Sequence, residues 1–186
     1  MPFYPTALPG LLIFEPSVYP DERGYFFESY NKKLFQANQI SCEFVQDNQS
    51  FSCYGVIRGL HFQREPHAQS KLVRVLQGKI LDVVVDLRSG SPAFGKSFSV
   101  ELSSENKKQI FIPKGFAHGF SVLSDTTEIS YKCDQFYNKQ SEGGIRYNDP
   151  QLKIDWQIPQ GKALISEKDA FLPEFDPGST IFKFTE

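Results

Sequence analysis

Short runs of apolar residues rich in Val, Ile, Phe and Tyr recur along the chain, and turn-forming residues separate them. In the clearest run, Lys79 to Arg88, every second residue from Leu81 to Leu87 is apolar, and Asp82 and Asp86 share the opposite face. Alternation with a period of two predicts a β-strand, because successive side chains of a strand point to opposite faces. The same reasoning predicts five further strands: 70–77, 96–102, 109–112, 115–123 and 127–133.

Helical periodicity is scarce by comparison. Asn31 to Gln39 can form a short amphipathic helix capped by Asn31, and Glu167 to Phe171 can form one further turn. Short, regularly spaced strands joined by hairpin-length turns favour antiparallel pairing in a sandwich or barrel. No repeat or low-complexity linker divides the chain, so we expect a single domain over residues 1–186.

Composition and charge narrow the class of protein. The 186 residues include 20 Lys and Arg against 22 Asp and Glu, a formal charge of −2, so no overall positive field attracts nucleic acid. The longest apolar stretch near the N-terminus, Leu11 to Phe14, is far too short to span a bilayer, and we expect no membrane partner. The three cysteines, Cys42, Cys53 and Cys133, form no CxxC pair, which favours a reducing compartment and a cytoplasmic protein.

Two of the three histidines lie in strand-like runs where they could carry chemistry. His61 follows Arg58 closely in Gly55-Val-Ile-Arg-Gly-Leu-His-Phe-Gln63, and His118 ends a Pro-x-Gly-x-x-His pattern that begins at Pro113. A single histidine in such a position is more often a hydrogen-bonded interior residue than a functional group. A functional role therefore needs further evidence.

The pattern that ends at His118 resembles the second motif of the cupin superfamily, whose fold is a small jelly-roll barrel. The first cupin motif normally supplies a His-x-His pair and a Glu to a metal, but the corresponding residues here are His61-Phe62-Gln63. A metal site needs three or four converging ligands, and two of them are missing. We therefore expect no metal.

Eight sequence blocks, in the same order along the chain, make the resemblance more specific, and it extends from about residue 9 to residue 173. The chain resembles the dTDP-4-dehydrorhamnose 3,5-epimerase family. The blocks begin at Asp21, Phe44, Gly55, Lys71, Ile112, Tyr131, Gly143 and Ser166. The resemblance implies an all-β fold, a cupin jelly-roll barrel of mainly antiparallel strands with a few short helices.

The resemblance also implies an isomerase that works without a cofactor. Its substrate would be dTDP-4-keto-6-deoxy-D-glucose, and inversion at C3 and C5 would give dTDP-4-keto-L-rhamnose. The C4 ketone acidifies the hydrogens on both neighbouring carbons, so inversion requires a base on one face of the sugar and an acid on the other. Family members form homodimers in which an N-terminal segment reaches the neighbouring subunit's pocket, an arrangement with two-fold symmetry.

Four residues match the catalytic groups that the resemblance implies. His61 would be the base, and Asp169 would bond its far nitrogen and fix its tautomer. Tyr131 lies on the same strand face as Ile129 and Cys133, so its phenol should point into the barrel, where it could act as the acid. Lys71 would place a positive charge near the C4 oxygen. Without the resemblance, Asp169 and Lys71 would be interpreted as ordinary surface charges.

The remaining matches concern substrate binding. Arg58 would bind the diphosphate, but a regular strand would place Arg58 and His61 on opposite faces, so we predict an irregularity at Gly59. Tyr137 matches the aromatic residue that stacks on the thymine ring. The other residues that the resemblance assigns to binding are Arg23, Phe26 and Glu28 in the shared N-terminal segment, and Gln46, Asn48, His118, Glu142 and Lys168.

Three alternatives remain open at this point. A single-centre epimerase, acting at C3 or C5 of another nucleotide-linked 4-ketosugar, could have nearly the same site, because sub-ångström geometry can decide whether the second inversion occurs. A metal-dependent cupin enzyme would need the missing ligands. A sugar-binding cupin without activity could lose His61, Tyr131 or Asp169, yet all three are present.

Overall fold

Strands make up most of the ordered elements in the computed structural model of the chain, which describes residues 2–185. The strands are β1 (Phe3–Pro5), β2 (Leu12–Phe14), β3 (Tyr19–Asp21), β4 (Gly24–Phe26), β5 (Gln46–Cys53), β6 (Val56–Gln63), β7 (Lys71–Gln77), β8 (Lys79–Asp86), β9 (Arg88–Ser89), β10 (Ser97–Ser103), β11 (Gln109–Ile112), β12 (Phe116–Val122), β13 (Thr126–Cys133), β14 (Glu142–Gly144), β15 (Leu164–Ile165) and β16 (Phe182–Lys183). The helices are α1 (Lys32–Ala37) and α2 (Glu167–Ala170).

Two large sheets face each other and form the barrel. The first sheet has the order β1-β2-β11-β7-β13-β5, and the second has the order β10-β8-β12-β6-β14. All pairings within these paths are antiparallel, and the short strand β15 adds to β6 in parallel. The expected all-β jelly-roll barrel of mainly antiparallel strands with a few short helices is therefore confirmed.

The elements predicted from periodicity are present with small shifts at their ends. The six predicted strands correspond to β7, β8 and β10 to β13, each within two residues of the expected bounds. The Asn31 side chain accepts hydrogen bonds from the backbone N–H groups of Lys33 and Leu34, as expected of an N-cap. Helix α1 ends at Ala37, earlier than predicted, because the chain turns at Gln39 with a positive φ of 64°.

The core consists of three apolar clusters. The barrel interior is filled by residues such as Val73, Val84 and Phe120, and the C-terminal segment covers the outer face of the second sheet with Trp156 and Phe175. The third cluster packs the N-terminal segment and α1 against the first sheet: Phe14, Phe35, Ile40, Leu72 and Phe111. Because β8 is covered on both faces, Asp82 and Asp86 are fully buried on its interior side.

Within residues 2–185, the structure contains no helix long and apolar enough to cross a membrane.

Candidate active site

An open cavity of about 340 Å³ lies at one end of the barrel, between the two sheets. It is lined by Gln46, Asn48, His61, Phe62, Gln63, Gln69, Lys71, Tyr131, Tyr137 and Glu142. An adjoining chamber of about 210 Å³ shares His61, Lys71 and Tyr131 with this cavity and also borders Arg58 and His118. Nine of the predicted catalytic and binding residues thus border one connected space: Gln46, Asn48, Arg58, His61, Lys71, His118, Tyr131, Tyr137 and Glu142.

His61 borders both the cavity and the chamber, and it is hydrogen-bonded to Asp169, which lines a neighbouring groove together with Lys168. Nε2 of His61 lies 2.7 Å from Oδ1 of Asp169, although the two residues are 108 positions apart. Ser166 caps α2 by accepting a hydrogen bond from the Asp169 N–H, and this cap sets the start of the helix that carries the carboxylate. Oδ2 of Asp169 accepts a second bond from the Gly59 N–H at 3.1 Å.

The Asp169 carboxylate is ionised in this environment. Burial opposes its ionisation, but the hydrogen bonds from His61 and from the Gly59 N–H outweigh burial and hold the pKa of Asp169 below its usual value. An ionised carboxylate only accepts hydrogen bonds, so Nε2 of His61 carries the hydrogen in this pair. Nδ1 is then the nitrogen left for proton transfer.

The predicted irregularity at Gly59 is confirmed. The ladder between β6 and β12 pairs His61 with His118 and Arg58 with Phe120, so the register shifts by one residue at Gly59. Gly59 has a positive φ of 125°, and a Cβ there would lie 2.6 Å from the Cα of Gly119, so only glycine fits. The shift allows Arg58 and His61 to border the same chamber despite their opposite parity.

Lys71 and Tyr131 project from β7 and β13 of the first sheet, across the barrel from His61 on β6. Burial lowers the pKa of Lys71 below its usual value, and the nearby carboxylates of Asp82 and Glu142 oppose that effect. Burial raises the pKa of Tyr131 above its usual value, so the phenol keeps its proton at neutral pH. The wall opposite the histidine therefore presents an amine and a protonated phenol.

A chain of polar contacts runs from the exposed Lys168, through four residues that line the cavity, to the buried Cys133. Oε1 of Glu142 accepts a hydrogen bond from Nζ of Lys168 at 2.6 Å, and Oε2 of Glu142 accepts one from the Tyr137 hydroxyl at 3.1 Å. The backbone N–H of Tyr137 donates to Oε1 of Gln46 at 2.9 Å. Nε2 of Gln46 donates to Oδ1 of Asn48 at 2.9 Å, and Nδ2 of Asn48 lies 3.6 Å from Sγ of Cys133. Burial opposes ionisation of Glu142, but the contacts with Lys168 and Tyr137 hold its pKa below the usual value. These contacts hold the side chains of Glu142, Tyr137, Gln46 and Asn48 in place around the cavity.

A second histidine–carboxylate pair lies beside the first. Nε2 of His118 is 2.8 Å from Oδ2 of Asp82, and both residues are buried. His118 and His61 are paired across β12 and β6, so their side chains share the interior face of the second sheet.

Three predicted binding residues lie away from this cavity within the chain. Arg23, Phe26 and Glu28 do not line the cavity or the adjoining chamber. Arg23 and Phe26 belong to the β3–β4 hairpin region, where Phe26 is 67% exposed and Tyr25 is 58% exposed. Arg23 bonds Asp21 in the same hairpin, and the Glu28 side chain bonds Asn31.

Several residues of the site were missed by the sequence analysis. Gln63 and Gln69 line the cavity, and both hold neighbouring backbone carbonyls through their side-chain amides. Ser50 borders the chamber. Asp82 was noticed only as a polar position of a strand, although a carboxylate inside so apolar a run signals a buried partner.

Among residues 2–185, no three His, Cys, Asp or Glu side chains converge in a way that could hold a metal ion.

The family model described as dTDP-4-dehydrorhamnose 3,5-epimerase matches residues 5–176 of the chain. The chain belongs to this family. A protein of that name from Shigella flexneri is 54% identical over 165 residues, which are 88% of this chain and 90% of the relative.

Solved structures agree with this assignment. The dTDP-6-deoxy-D-glucose-3,5-epimerase of Legionella pneumophila Philadelphia 1, in complex with dTDP-4-keto-L-rhamnose, superposes with a TM-score of 0.93 at 45% identity and covers 99% of this chain and 98% of its own. The dTDP-4-dehydrorhamnose 3,5-epimerase of Elizabethkingia anophelis superposes with a TM-score of 0.89 at 53% identity, covering 93% and 95% of the two chains.

Proposed function

We propose that this member of the dTDP-4-dehydrorhamnose 3,5-epimerase family inverts C3 and C5 of dTDP-4-keto-6-deoxy-D-glucose and releases dTDP-4-keto-L-rhamnose. The observation that carries the proposal is the His61–Asp169 pair, whose histidine borders the cavity opposite Lys71 and Tyr131. The Legionella relative, similar over nearly its whole length, is in complex with dTDP-4-keto-L-rhamnose.

His61 is the base in this proposal. Asp169 accepts the Nε2 hydrogen and leaves the Nδ1 lone pair free to take a proton from carbon. When the imidazole becomes charged, the buried carboxylate 2.7 Å away stabilises the new cation. The hydrogens on C3 and C5 are acidic because each carbanion delocalises onto the C4 oxygen as an enolate.

Lys71 stabilises the enolate, and Tyr131 returns a proton. A charged donor aimed at a developing oxyanion in a partly buried site typically contributes about 3 kcal/mol to transition-state stabilisation. Tyr131 and His61 belong to opposite sheets, so a sugar between them has the base on one face and the acid on the other. Removal of a proton from one face and delivery to the other inverts the carbon.

The rim of the cavity suits the nucleotide. Tyr137 is 55% exposed, and its ring is available for stacking on a base. Arg58 borders the chamber with a guanidinium that can meet phosphate oxygens in a bidentate fashion. Lys168 adds a second cation, held by Glu142.

The activity is tested by incubating the EDTA-treated protein with dTDP-4-keto-6-deoxy-D-glucose in heavy water and following the label by NMR. Deuterium at both C3 and C5 with the L-configured product is the expected result. Label at one carbon would instead identify a single-centre epimerase. No label after EDTA, restored by a divalent metal, would identify a metal-dependent cupin enzyme.

We further propose that the protein is a homodimer in which the β3–β4 hairpin completes the partner's cavity. The support is that Arg23, Phe26 and Glu28 do not border the cavity of their own chain, while the hairpin exposes aromatic side chains. Large exposed aromatic patches are typical of interaction surfaces.

A mixing experiment tests this arrangement. His61→Ala and Arg23→Ala variants, each inactive alone, are unfolded together and refolded as a mixture. If each site combines His61 of one chain with Arg23 of the other, half of the dimers are mixed and each has one intact site, so about a quarter of wild-type activity returns. If both residues serve one chain's own site, no activity returns and the shared arrangement is wrong.

A further inference from the structure

The Asp82 carboxylate is the most unusual polar group outside the His61–Asp169 pair. Asp82 is 0% exposed and lies on β8 among apolar residues that fill the barrel. Oδ2 bonds His118, but Oδ1 has no hydrogen-bond partner among the described residues. A buried carboxylate with one unsatisfied oxygen is costly, so it needs a compensating role.

The only side-chain bond of Asp82 among residues 2–185 leads to the substrate chamber. His118 borders the chamber, and its Nε2 is occupied by Asp82. Among the described residues, no protein atom forms a hydrogen bond with Nδ1 of His118. This nitrogen is also not one of the fully buried side-chain atoms that lack a partner, so it is accessible from the chamber. The imidazole therefore presents Nδ1 to the chamber.

We propose that Asp82 is a positioning residue that fixes His118 with its hydrogen on Nε2, so that Nδ1 accepts a hydrogen bond from a hydroxyl of the sugar. This inference rests on the proposed function for the identity of the ligand. Asp82 itself touches no substrate atom. It acts by excluding the other tautomer, in which Nδ1–H would meet the hydroxyl as a donor.

The two carboxylates differ in a way that makes the proposal testable. Both oxygens of Asp169 are bonded, whereas Asp82 is held through Oδ2 alone. An asparagine at position 82 can therefore turn either its oxygen or its NH₂ group toward Nε2, and His118 loses its single tautomer. We expect Asp82→Asn to lower kcat/KM by about 10- to 100-fold, mostly through KM, as when carboxylates that orient metal-bound histidines are replaced.

The first readout is a double-mutant cycle with substrate. If Asp82 acts only through His118, Asp82→Asn costs nothing further on a His118→Ala background. An additional loss on that background would give Asp82 another task, such as supporting the charge of Lys71, and would overturn the proposal. Wild-type kinetics in Asp82→Asn would overturn it as well.

The second readout is ¹⁵N NMR of the imidazoles, which needs no activity. The chain has three histidines, so His118 is assigned by comparison with the His118→Ala protein. We expect a single Nε2–H tautomer in the wild type and a mixture in Asp82→Asn; an unchanged tautomer would refute the proposal. If the wild-type protein did not exchange protons at C3 and C5 of the sugar, the proposed function would be wrong. The ¹⁵N spectrum would still show whether Asp82 fixes the tautomer of His118.

Asp86→Asn is the matched control. Asp86 is also 0% exposed and lies on the same face of β8, but its carboxylate bonds Arg88 and Ser91, away from the chamber. We expect the control to lower the melting temperature and to leave KM and the His118 tautomer unchanged in the folded protein.

Discussion

Replacing Asp169 by asparagine tests the proposed base more sharply than removing the histidine itself. The substitution keeps the size of the side chain and changes only what it can donate. Oδ2 of Asp169 faces the Gly59 N–H at 3.1 Å, and Oδ1 faces His61 at 2.7 Å. Because the Gly59 N–H is a donor, the amide oxygen of the asparagine must turn toward it, and the NH₂ group must face His61.

This forced orientation reverses the imidazole. An NH₂ group donates, so Nε2 of His61 becomes an acceptor and the hydrogen moves to Nδ1, the nitrogen that would take the proton from carbon. The comparable change in a histidine–aspartate pair of known mechanism lowers kcat by about 10⁴-fold. We expect a loss of about 10³- to 10⁴-fold, equivalent to about 4 to 5.5 kcal/mol of transition-state stabilisation.

The assay is the rate of deuterium incorporation at C3 and C5, measured by NMR at neutral pH. Asp149→Asn is the control, because this buried carboxylate also accepts backbone N–H bonds but, unlike Asp169, bonds no histidine. We expect the control to exchange label at the wild-type rate once folded. If Asp169→Asn folds with the wild-type melting temperature and exchanges label within tenfold of the wild-type rate, the tautomer argument is wrong.

Three further outcomes follow from the same geometry. Tyr131→Phe should still exchange deuterium but lose net inversion, measured by comparing label with product; loss of exchange would make Tyr131 part of the base. Because burial lowers the pKa of Lys71, kcat/KM should decrease as the pH rises, and this decrease should begin at a pH below the usual pKa of lysine. Lys71→Arg should remove this alkaline decrease from the pH profile and should also slow the reaction. Gly59→Ala should cost about 3 kcal/mol or more in urea unfolding, since the new Cβ meets backbone 2.6 Å away, whereas Gly161→Ala, with open space around it, should cost about 1 kcal/mol.

The strands that sequence periodicity predicted are those with apolar residues on at least one face. β5 was missed as an element because its sequence, Gln-Asp-Asn-Gln-Ser-Phe-Ser-Cys, has no apolar alternation. The structure gives the reason: Gln46, Asn48 and Ser50 face the cavity instead of an apolar core. A strand whose inward-facing side chains are polar lacks the apolar alternation that predicts a strand, so its sequence pattern resembles that of a loop.

The site was accessible from sequence only in part. Parity along β13 placed Tyr131 on the interior face, and the opposite parities of Arg58 and His61 required the irregularity found at Gly59. The proximity of His61 and Asp169 depends on how the C-terminal segment folds back across β6, which no local pattern encodes. That pairing came from resemblance, and the contacts of Gln63, Gln69 and Asp82 came only from the structure.

If His61 and Tyr131 act as the proposed base and acid, their placement on two facing sheets makes the stereochemical outcome depend on the width of the barrel. The distance between the proposed base and the proposed acid then depends on the apolar residues that keep the sheets apart, such as Val84 and Ile110, neither of which lines the cavity or the chamber. A substitution that narrows or widens this packing would change which carbon is inverted without altering any reacting group. Relatives could therefore diverge in product by repacking their interior while every catalytic side chain stays the same.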